Sequence, residues 1–92
     1  MNPTGRLPPL DVPEAFLRTA RSKEPHLREA IARCVQLLGD NPRHPGLHTH
    51  RVQGARGVWE AYVDQANRVT FHWEAGTIVL RRNCNHDILG RP

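Results

Sequence analysis

The sequence predicts a single α+β domain, in which an N-terminal helical hairpin packs on a three- to four-stranded antiparallel sheet. Apolar residues recur at helical spacing as far as Leu38, and from Trp59 onwards they alternate with polar residues. This change of period marks the passage from helices to half-buried strands. With 92 residues, the chain is predicted to form one domain over residues 1–92.

The first helix is predicted just after a proline-rich start. Residues 1–10 carry three prolines and a glycine, so any strand there is short and lies on an edge of the sheet. Asp11 and Glu14 have the N-cap and N3 spacing that opens a helix. This helix has one apolar side, formed by Phe16, Leu17 and Ala20.

A second, longer helix follows the first closely enough to form a hairpin with it. Pro25 suits its first turn, and Gly39 is the expected C-terminal cap. Asn41 and Pro42 then end the helical segment. Its apolar stripe consists of Leu27, Ile31, Val35 and Leu38.

Three strands are predicted in the second half of the chain. A three-residue turn at 65–67 would pair Val63 with Val69, Ala61 with Phe71 and Trp59 with Trp73. A two-residue turn at 65–66 would mix the two faces and is rejected. A two-residue turn at 75–76 would pair Trp73 with Ile78 and Phe71 with Leu80. The face that meets the helices would then be entirely apolar.

The opposite face of the sheet collects ionisable and polar side chains. In this register Glu60 lies opposite His72, Tyr62 and Arg81 each lie opposite Thr70, and Arg68 lies opposite Asn83. His86 follows just past the last strand. A simple interpretation is a solvated face with ordinary cross-strand pairs.

The same polar face could cleave RNA. Attack by a 2′-hydroxyl needs a base, an acid for the leaving oxygen and cations for the charge on phosphorus. Glu60 or a histidine such as His50 could be the base, and His86 could be the acid. Arg68 and Arg81 could hold phosphate through two hydrogen bonds each. Tyr62 could stack on a base.

Charge and composition favour a polyanionic partner. Lys and Arg number 13 against 9 Asp and Glu, for a net charge of +4, and all but Lys23 of these bases are Arg. Arginine binds phosphate and stacks on bases, although genome base composition also enriches it. Two cysteines do not make a disulfide scaffold, and no apolar run could span a membrane. The sequence therefore predicts a cytoplasmic protein without membrane contact.

Metal and cofactor sites are not predicted. His48 and His50 lie two residues apart on a strand, but no further ligand pair stands at a zinc-site spacing. If Val52 faces the core, both histidines lie on the core side, and Arg51 lies on the polar face. His50 remains a candidate because edge strands twist and bulge.

The second half of the chain resembles the RelE/ParE superfamily of type II toxins. The resemblance rests on Asn41-Pro42 after the second helix, Gly46-Leu47 before a strand and a glycine before the central hairpin. It also rests on Arg-Val-x-Phe at Arg68 to Phe71 and on His86-Asp87 near the end. With the hairpin, the resemblance covers about residues 11–90. It implies a metal-independent endoribonuclease that cleaves mRNA, usually on the ribosome, and is neutralised by an antitoxin.

The resemblance also implies roles for individual residues. Arg68 matches the arginine that contacts the scissile phosphate, and His86 matches the position of the acid. From their places on the predicted polar face, rather than from the resemblance, the expected RNA-binding residues are Arg51, Tyr62, Arg81 and His72. Operator DNA would be bound only through the antitoxin complex.

Two alternatives remain open within the same superfamily. Glu60 stands where relatives often carry a cation, and no aromatic residue closely follows His86. The chain could therefore be an inactive, antitoxin-binding member. It could also be a ParE-like gyrase inhibitor that is not an enzyme, although ionisable residues at the catalytic positions argue against this.

Overall fold

Two helices pack on one face of a five-stranded sheet, which confirms the predicted α+β class. The computed structural model describes residues 9–85, with side chains for residues 9–83. In chain order the elements are β1 (Leu10–Asp11), α1 (Glu14–Arg21), α2 (Pro25–Asp40), a 3₁₀ turn (Pro45–Leu47), β2 (His50–Arg51), β3 (Val58–Tyr62), β4 (Asn67–Glu74) and β5 (Thr77–Asn85). Neither described helix is long and apolar enough to cross a membrane.

The sheet is mixed, with the strand order β1-β5-β4-β3-β2. β1 runs parallel to β5, and the other neighbours are antiparallel. The strand count exceeds the predicted three to four because both edge strands, β1 and β2, are two residues long. Strands this short leave little alternation in the sequence by which to recognise them.

The start of α1 differs from the prediction. Pro13 is the N-cap, with φ −60° and ψ 152°, and no side chain caps the helix. Asp11 instead lies in β1 opposite Val79, beside the pair of Leu10 and Ile78. The predicted N-cap at Asp11 is therefore wrong, because its backbone belongs to the sheet. The proposed strand within residues 1–10 is described only at its end, since residues 1–8 lie outside the described residues.

The second helix begins as predicted and ends later. The Glu24 carboxylate accepts hydrogen bonds from the backbone N–H groups of Leu27 (2.6 Å) and His26 (3.2 Å), and Pro25 occupies the first turn. The helix continues through Gly39 and is capped by Asn41, so the predicted cap at Gly39 is wrong. A Cβ at Gly39 would lie 3.8 Å from the Leu10 side chain, so this part of the helix stands against β1.

The hairpin between β4 and β5 has the predicted register near its turn. Trp73 lies opposite Ile78, and Phe71 lies opposite Leu80. Both turn residues have positive φ, 49° at Ala75 and 82° at Gly76. Two positive φ values in succession are the requirement of a type I′ turn, which matches the twist of the strands.

The hairpin between β3 and β4 is shifted by two residues from the prediction. Ala61 lies opposite Val69, and Trp59 lies opposite Phe71, around a three-residue loop at 64–66. The Asp64 carboxylate sets this loop by accepting hydrogen bonds from Ala66 N and Asn67 Nδ2, each at 2.9 Å. A shift of two residues keeps every side chain on its predicted face.

The core lies between the helices and the sheet. Its buried members are Phe16, Ile31, Cys34, Leu38, Leu47, Ala61, Val69, Phe71, Ile78 and Leu80. Burial raises the pKa of the Cys34 thiol to about 12. The thiol is therefore uncharged at neutral pH and acts as an apolar core group. Trp73, predicted for the core, is 44% exposed because it lies beyond the first residue of β3.

Candidate functional site

A row of polar side chains crosses the sheet face opposite the helices. His50 of β2 lies opposite Glu60 of β3, Glu60 lies opposite Thr70 of β4, and Thr70 lies opposite Arg82 of β5. Adjacent strands are about 4.8 Å apart, so the row extends over roughly 14 Å. This width is comparable to a few nucleotides of extended RNA.

Glu60 and His50 form a close pair at one end of this row. His50 Nε2 lies 2.5 Å from Glu60 Oε1, and the two side chains are 58% and 3% exposed. A nitrogen and an oxygen this close require a proton between them. The pair thus joins a buried carboxylate to an imidazole that solvent and ligands can reach.

The other ring nitrogen of His50 faces a backbone carbonyl. Nδ1 lies 2.8 Å from the carbonyl oxygen of His48. A carbonyl can only accept a hydrogen bond, so Nδ1 carries a proton. The proton shared with Glu60 therefore belongs to either the imidazolium of an ion pair or a neutral carboxylic acid. Both in the ion pair and in the neutral form, the proton that His50 and Glu60 share lies between Nε2 and Oε1.

Glu60 is the least exposed charged residue of the face. At 2% exposure, its Oε2 atom has no hydrogen-bond partner among the described residues. Buried carboxylate oxygens nearly always have a hydrogen-bond partner. The nearest cation besides His50 is Arg68, whose Nε lies 3.9 Å from Glu60 Oε1.

Arg68 is held by the hairpin loop as well as by the polar face. Its Nη1 donates to the carbonyl oxygens of Asp64 (2.6 Å) and Asn67 (2.9 Å). Its guanidinium lies over the Tyr62 ring, 4.9 Å from the centroid, and its side chain is 15% exposed. The rings of His48 and Tyr62 are in T-shaped contact, with their centroids 5.6 Å apart. Arg68 therefore orders the loop and leaves only part of its guanidinium for a ligand.

An irregularity in β5 brings two arginines to the polar face. The register shifts between Thr70 and Phe71, so that Thr70 lies opposite Arg82 and Phe71 opposite Leu80. Arg81 is the extra residue of this bulge. Its Nη1 contacts His72 Nδ1 at 3.1 Å, which places Arg81 on the polar face together with Arg82.

The same bulge reverses the orientation of Asn83. Asn83 is 6% exposed, and its side-chain amide donates to the Phe16 carbonyl oxygen in α1 at 3.2 Å. The prediction that it faces Arg68 on the polar side is therefore wrong. The predicted pair of Arg81 with Thr70 is wrong because of the same bulge. The predicted pair of Tyr62 with Thr70 is wrong because the loop between β3 and β4 is shifted.

The Thr70 hydroxyl holds the backbone at the bulge. It accepts a hydrogen bond from Arg82 N at 3.1 Å and is fully buried. We expect Thr70→Val to lower the free energy of unfolding by about 1–3 kcal/mol, because the Arg82 N–H group loses its partner beside a fully buried side chain. Thr77→Val, at the start of β5, should change the free energy of unfolding by less than about 0.5 kcal/mol. Equal urea midpoints for the two variants would contradict this role of Thr70.

His72 and Arg81 form a second cluster further along the face. His72 lies opposite Val58 rather than Glu60, so the predicted pair of Glu60 and His72 is wrong. Its Nδ1 faces Arg81, and its Nε2 lies 3.3 Å from Glu74 Oε2. This cluster is two residues along β4 from Thr70, or roughly 7 Å.

The two residues of β2 lie on faces opposite to those predicted. His50 shares the polar face with Glu60, and Arg51 lies opposite Trp59 with its guanidinium 5.3 Å from that ring. Alternation from His50 then puts Val52 on the polar side as well, so the premise that Val52 faces the core is wrong. Arg51 therefore lies on the other face of the sheet from Glu60, whereas His50 lies beside Glu60.

Two further predictions concern His86 and metal ligands. His86, predicted as the acid, lies outside the described residues. No group of three or more His, Cys, Asp or Glu side chains within the described part of the chain is arranged to hold a metal ion. Arg82 is the site residue that sequence reasoning missed, because the bulge that exposes it left no sign in the alternation.

Comparison with known proteins identifies the fold. No protein-family model and no curated protein sequence matches the chain. Among solved structures, a chain of the E. coli DinJ-YafQ toxin-antitoxin complex has a TM-score of 0.64 and 16% identity, over 88% of this chain and 94% of that chain. A chain of the RelB-RelE antitoxin-toxin complex from Methanococcus jannaschii has a TM-score of 0.67 and 13% identity, over 84% and 91%.

A third solved structure extends the match over nearly the whole chain. A chain of the archaeal RelE-RelB complex from Pyrococcus horikoshii has a TM-score of 0.66 and 12% identity, over 94% of this chain and 99% of that chain. The chain therefore has the RelE/ParE-like toxin fold, as its sequence predicted. At these identities the likeness establishes the fold and leaves activity to be argued from the site.

Proposed function

We propose that the chain is the toxin of a type II toxin–antitoxin system and acts as a metal-independent endoribonuclease on mRNA. The single observation that carries this proposal is the close pair of His50 and Glu60 beside Arg68, on a face that also presents Arg81 and Arg82. A carboxylate, an imidazole and several guanidinium groups are the groups that cleavage by a 2′-hydroxyl requires.

In this mechanism Glu60 is the base and His50 is the acid. The 2′-hydroxyl gives its proton to the Glu60 carboxylate as its oxygen attacks phosphorus. His50 Nε2 gives its proton to the 5′-oxygen as the P–O bond breaks, which leaves a 2′,3′-cyclic phosphate and a 5′-hydroxyl. Glu60 then holds a proton that His50 lacks. Transfer across the 2.5 Å contact restores the starting state without an outside proton donor.

Two arginines on the β4 and β5 side of the pair would bind the phosphate. Arg82 is exposed and lies in the same cross-strand row, and Arg68 lies 3.9 Å from Glu60. Guanidinium groups placed where charge develops stabilise a transition state without reorganisation. Arg81 and His72, about 7 Å away along β4, would contact the next phosphate or base. Tyr62 would stack on a base from the side that Arg68 leaves open.

His86 keeps its sequence-based role as a second candidate acid. If it is the acid, His50 instead holds the Glu60 carboxylate in place, and His86→Ala abolishes cleavage. If His50 is the acid, the His86→Ala variant cleaves RNA at a rate close to that of the parent. The two assignments therefore differ in one measurable rate.

We further propose an antitoxin partner, with ribosome-bound mRNA as the substrate and operator DNA bound through the antitoxin complex. The proposal is supported by the toxin–antitoxin complexes among the solved structures that share this fold. A formal charge of +4 suits both an RNA substrate and an acidic partner segment.

The test of this function is induction of the chain alone in growing cells, followed by primer extension on a reporter mRNA. We expect growth arrest together with discrete new 5′ ends in that mRNA. Arrest with intact mRNA and a DNA-damage response would favour a ParE-like gyrase inhibitor instead. No arrest from a folded chain would favour an inactive, antitoxin-binding member.

A further inference from the structure

The loop before β2 places one residue in a backbone conformation that its type rarely adopts. His48 has φ 46° and ψ 42°, in the left-handed region, at the end of the 3₁₀ turn Pro45–Leu47. For a residue with a Cβ this conformation is costly, and such residues cluster at functional sites. Glycine or asparagine would adopt it more readily, and among the described residues His48 and Ala75 are the non-glycine residues with positive φ.

This conformation directs the His48 carbonyl group at the ring of His50. The carbonyl oxygen accepts a hydrogen bond from His50 Nδ1 at 2.8 Å, while the His48 N–H donates to the Pro45 carbonyl at 3.2 Å. The 3₁₀ turn is itself fixed by His44, whose Nδ1 accepts from Gly46 N at 2.9 Å. The His48 carbonyl thus follows directly on a turn that its own hydrogen bonds hold in place.

We propose that His48 is a positioning residue, whose left-handed backbone fixes the tautomer of His50. In water a neutral histidine exchanges its proton between both ring nitrogens, and the carbonyl would confine it to Nδ1. Nε2 then remains the atom that faces Glu60 and exchanges the shared proton. This inference rests on the proposed function only for its effect on cleavage, because the tautomer itself is a property of the folded chain.

The role is comparable to that of the carboxylate in a serine-protease triad, which holds a histidine in one tautomer. Here a neutral carbonyl does so, and the carboxylate is on the other nitrogen. A carbonyl orients the ring without competing for the exchanged proton. The orientation therefore survives both protonation states of the pair.

Two substitutions distinguish the effect of the His48 backbone conformation from the effect of its ring. Both His48→Gly and His48→Val remove the ring and its contact with Tyr62. Glycine keeps the left-handed conformation, whereas the β-branched valine disfavours it strongly. We expect His48→Gly to keep the parent rate of RNA cleavage and His48→Val to lower it roughly 10-fold, as losses of supporting residues around a site do.

The direct readout is the imidazole ¹⁵N spectrum of the full chain across the neutral pH range. We expect His50 Nδ1 to stay protonated in the parent and in His48→Gly, and the signal of the Nε2–H tautomer to emerge in His48→Val. If valine prevents folding, His48→Asn and His48→Ala provide the same comparison, because asparagine tolerates the left-handed region better than alanine.

The outcomes separate this inference from the proposed activity. An Nε2–H tautomer of His50 in the parent, or an unchanged tautomer in the folded valine variant, would overturn it. Equal loss of cleavage in the glycine and valine variants would assign the effect to the ring and would also overturn it. If the parent cleaves no RNA but the tautomer shifts as expected, the positioning role stands and the ribonuclease proposal fails.

Discussion

Replacing Glu60 with glutamine should lower the rate of RNA cleavage by on the order of 10²–10⁴-fold, the usual contribution of a general base. The amide has nearly the shape of the carboxylate but cannot accept the 2′-hydroxyl proton. It also cannot take part in the proton transfer that restores His50. The measurement is the single-turnover rate of cleavage of a reporter mRNA by the purified chain with ribosomes, followed by primer extension.

Glu74→Gln is the matched control for this substitution. Glu74 also contacts a histidine, with its Oε2 3.3 Å from His72 Nε2, but its side chain is 72% exposed. We expect the Glu74 variant to cleave at the parent rate. Thermal unfolding of both variants separates loss of chemistry from loss of fold. A Glu60 variant that is folded and cleaves as fast as the parent would remove the carboxylate from the mechanism.

The spacing of apolar residues and the residue types in the turns predict much of this fold, but they do not predict the register of every strand pair. The Ala75-Gly76 turn predicted the β4–β5 pairs near it, because two positive φ values fit few residue pairs. The loop between β3 and β4 was placed one residue too late. Alternation cannot detect the resulting shift of two residues, since it leaves the faces unchanged. The Asp64 side chain decides between the two loops through hydrogen bonds that spacing does not reveal.

The candidate site was only partly predictable for related reasons. Glu60, Tyr62 and Arg68 were assigned to the correct face, because β3 and β4 alternate clearly there. His50 was assigned to the wrong face, since a two-residue strand has no pattern of its own and Val52 was taken for a core residue. Arg82 was missed because the bulge at Arg81 turns two successive side chains to one face, an arrangement that regular alternation excludes.

Arg82→Ala should lower the cleavage rate about 10²-fold, as loss of a group that stabilises charge in the transition state does. Within the described part of the chain, the Arg82 guanidinium has no hydrogen-bond or ion-pair partner, so its removal should leave the fold unchanged. RNA binding should also depend less on salt, with the slope of log K against log salt falling by about 0.7 for the lost phosphate contact. Arg33→Ala, which removes an exposed arginine of α2, should alter neither quantity.

Arg68→Ala should be compared with Arg82→Ala, because only the Arg68 variant is expected to lose stability as well as activity. The role that the sequence predicts for Arg68, contact with the scissile phosphate, means that this substitution should abolish growth arrest and leave the fold and antitoxin binding intact. Arg68 also donates to two loop carbonyls, so we expect it to lower the free energy of unfolding by about 1–3 kcal/mol as well. Loss of arrest in that variant alone would therefore not distinguish a phosphate contact from a weakened hairpin. If Arg82→Ala is fully folded and cleaves RNA at the parent rate, the row from His50 to Arg82 is not where the scissile phosphate binds.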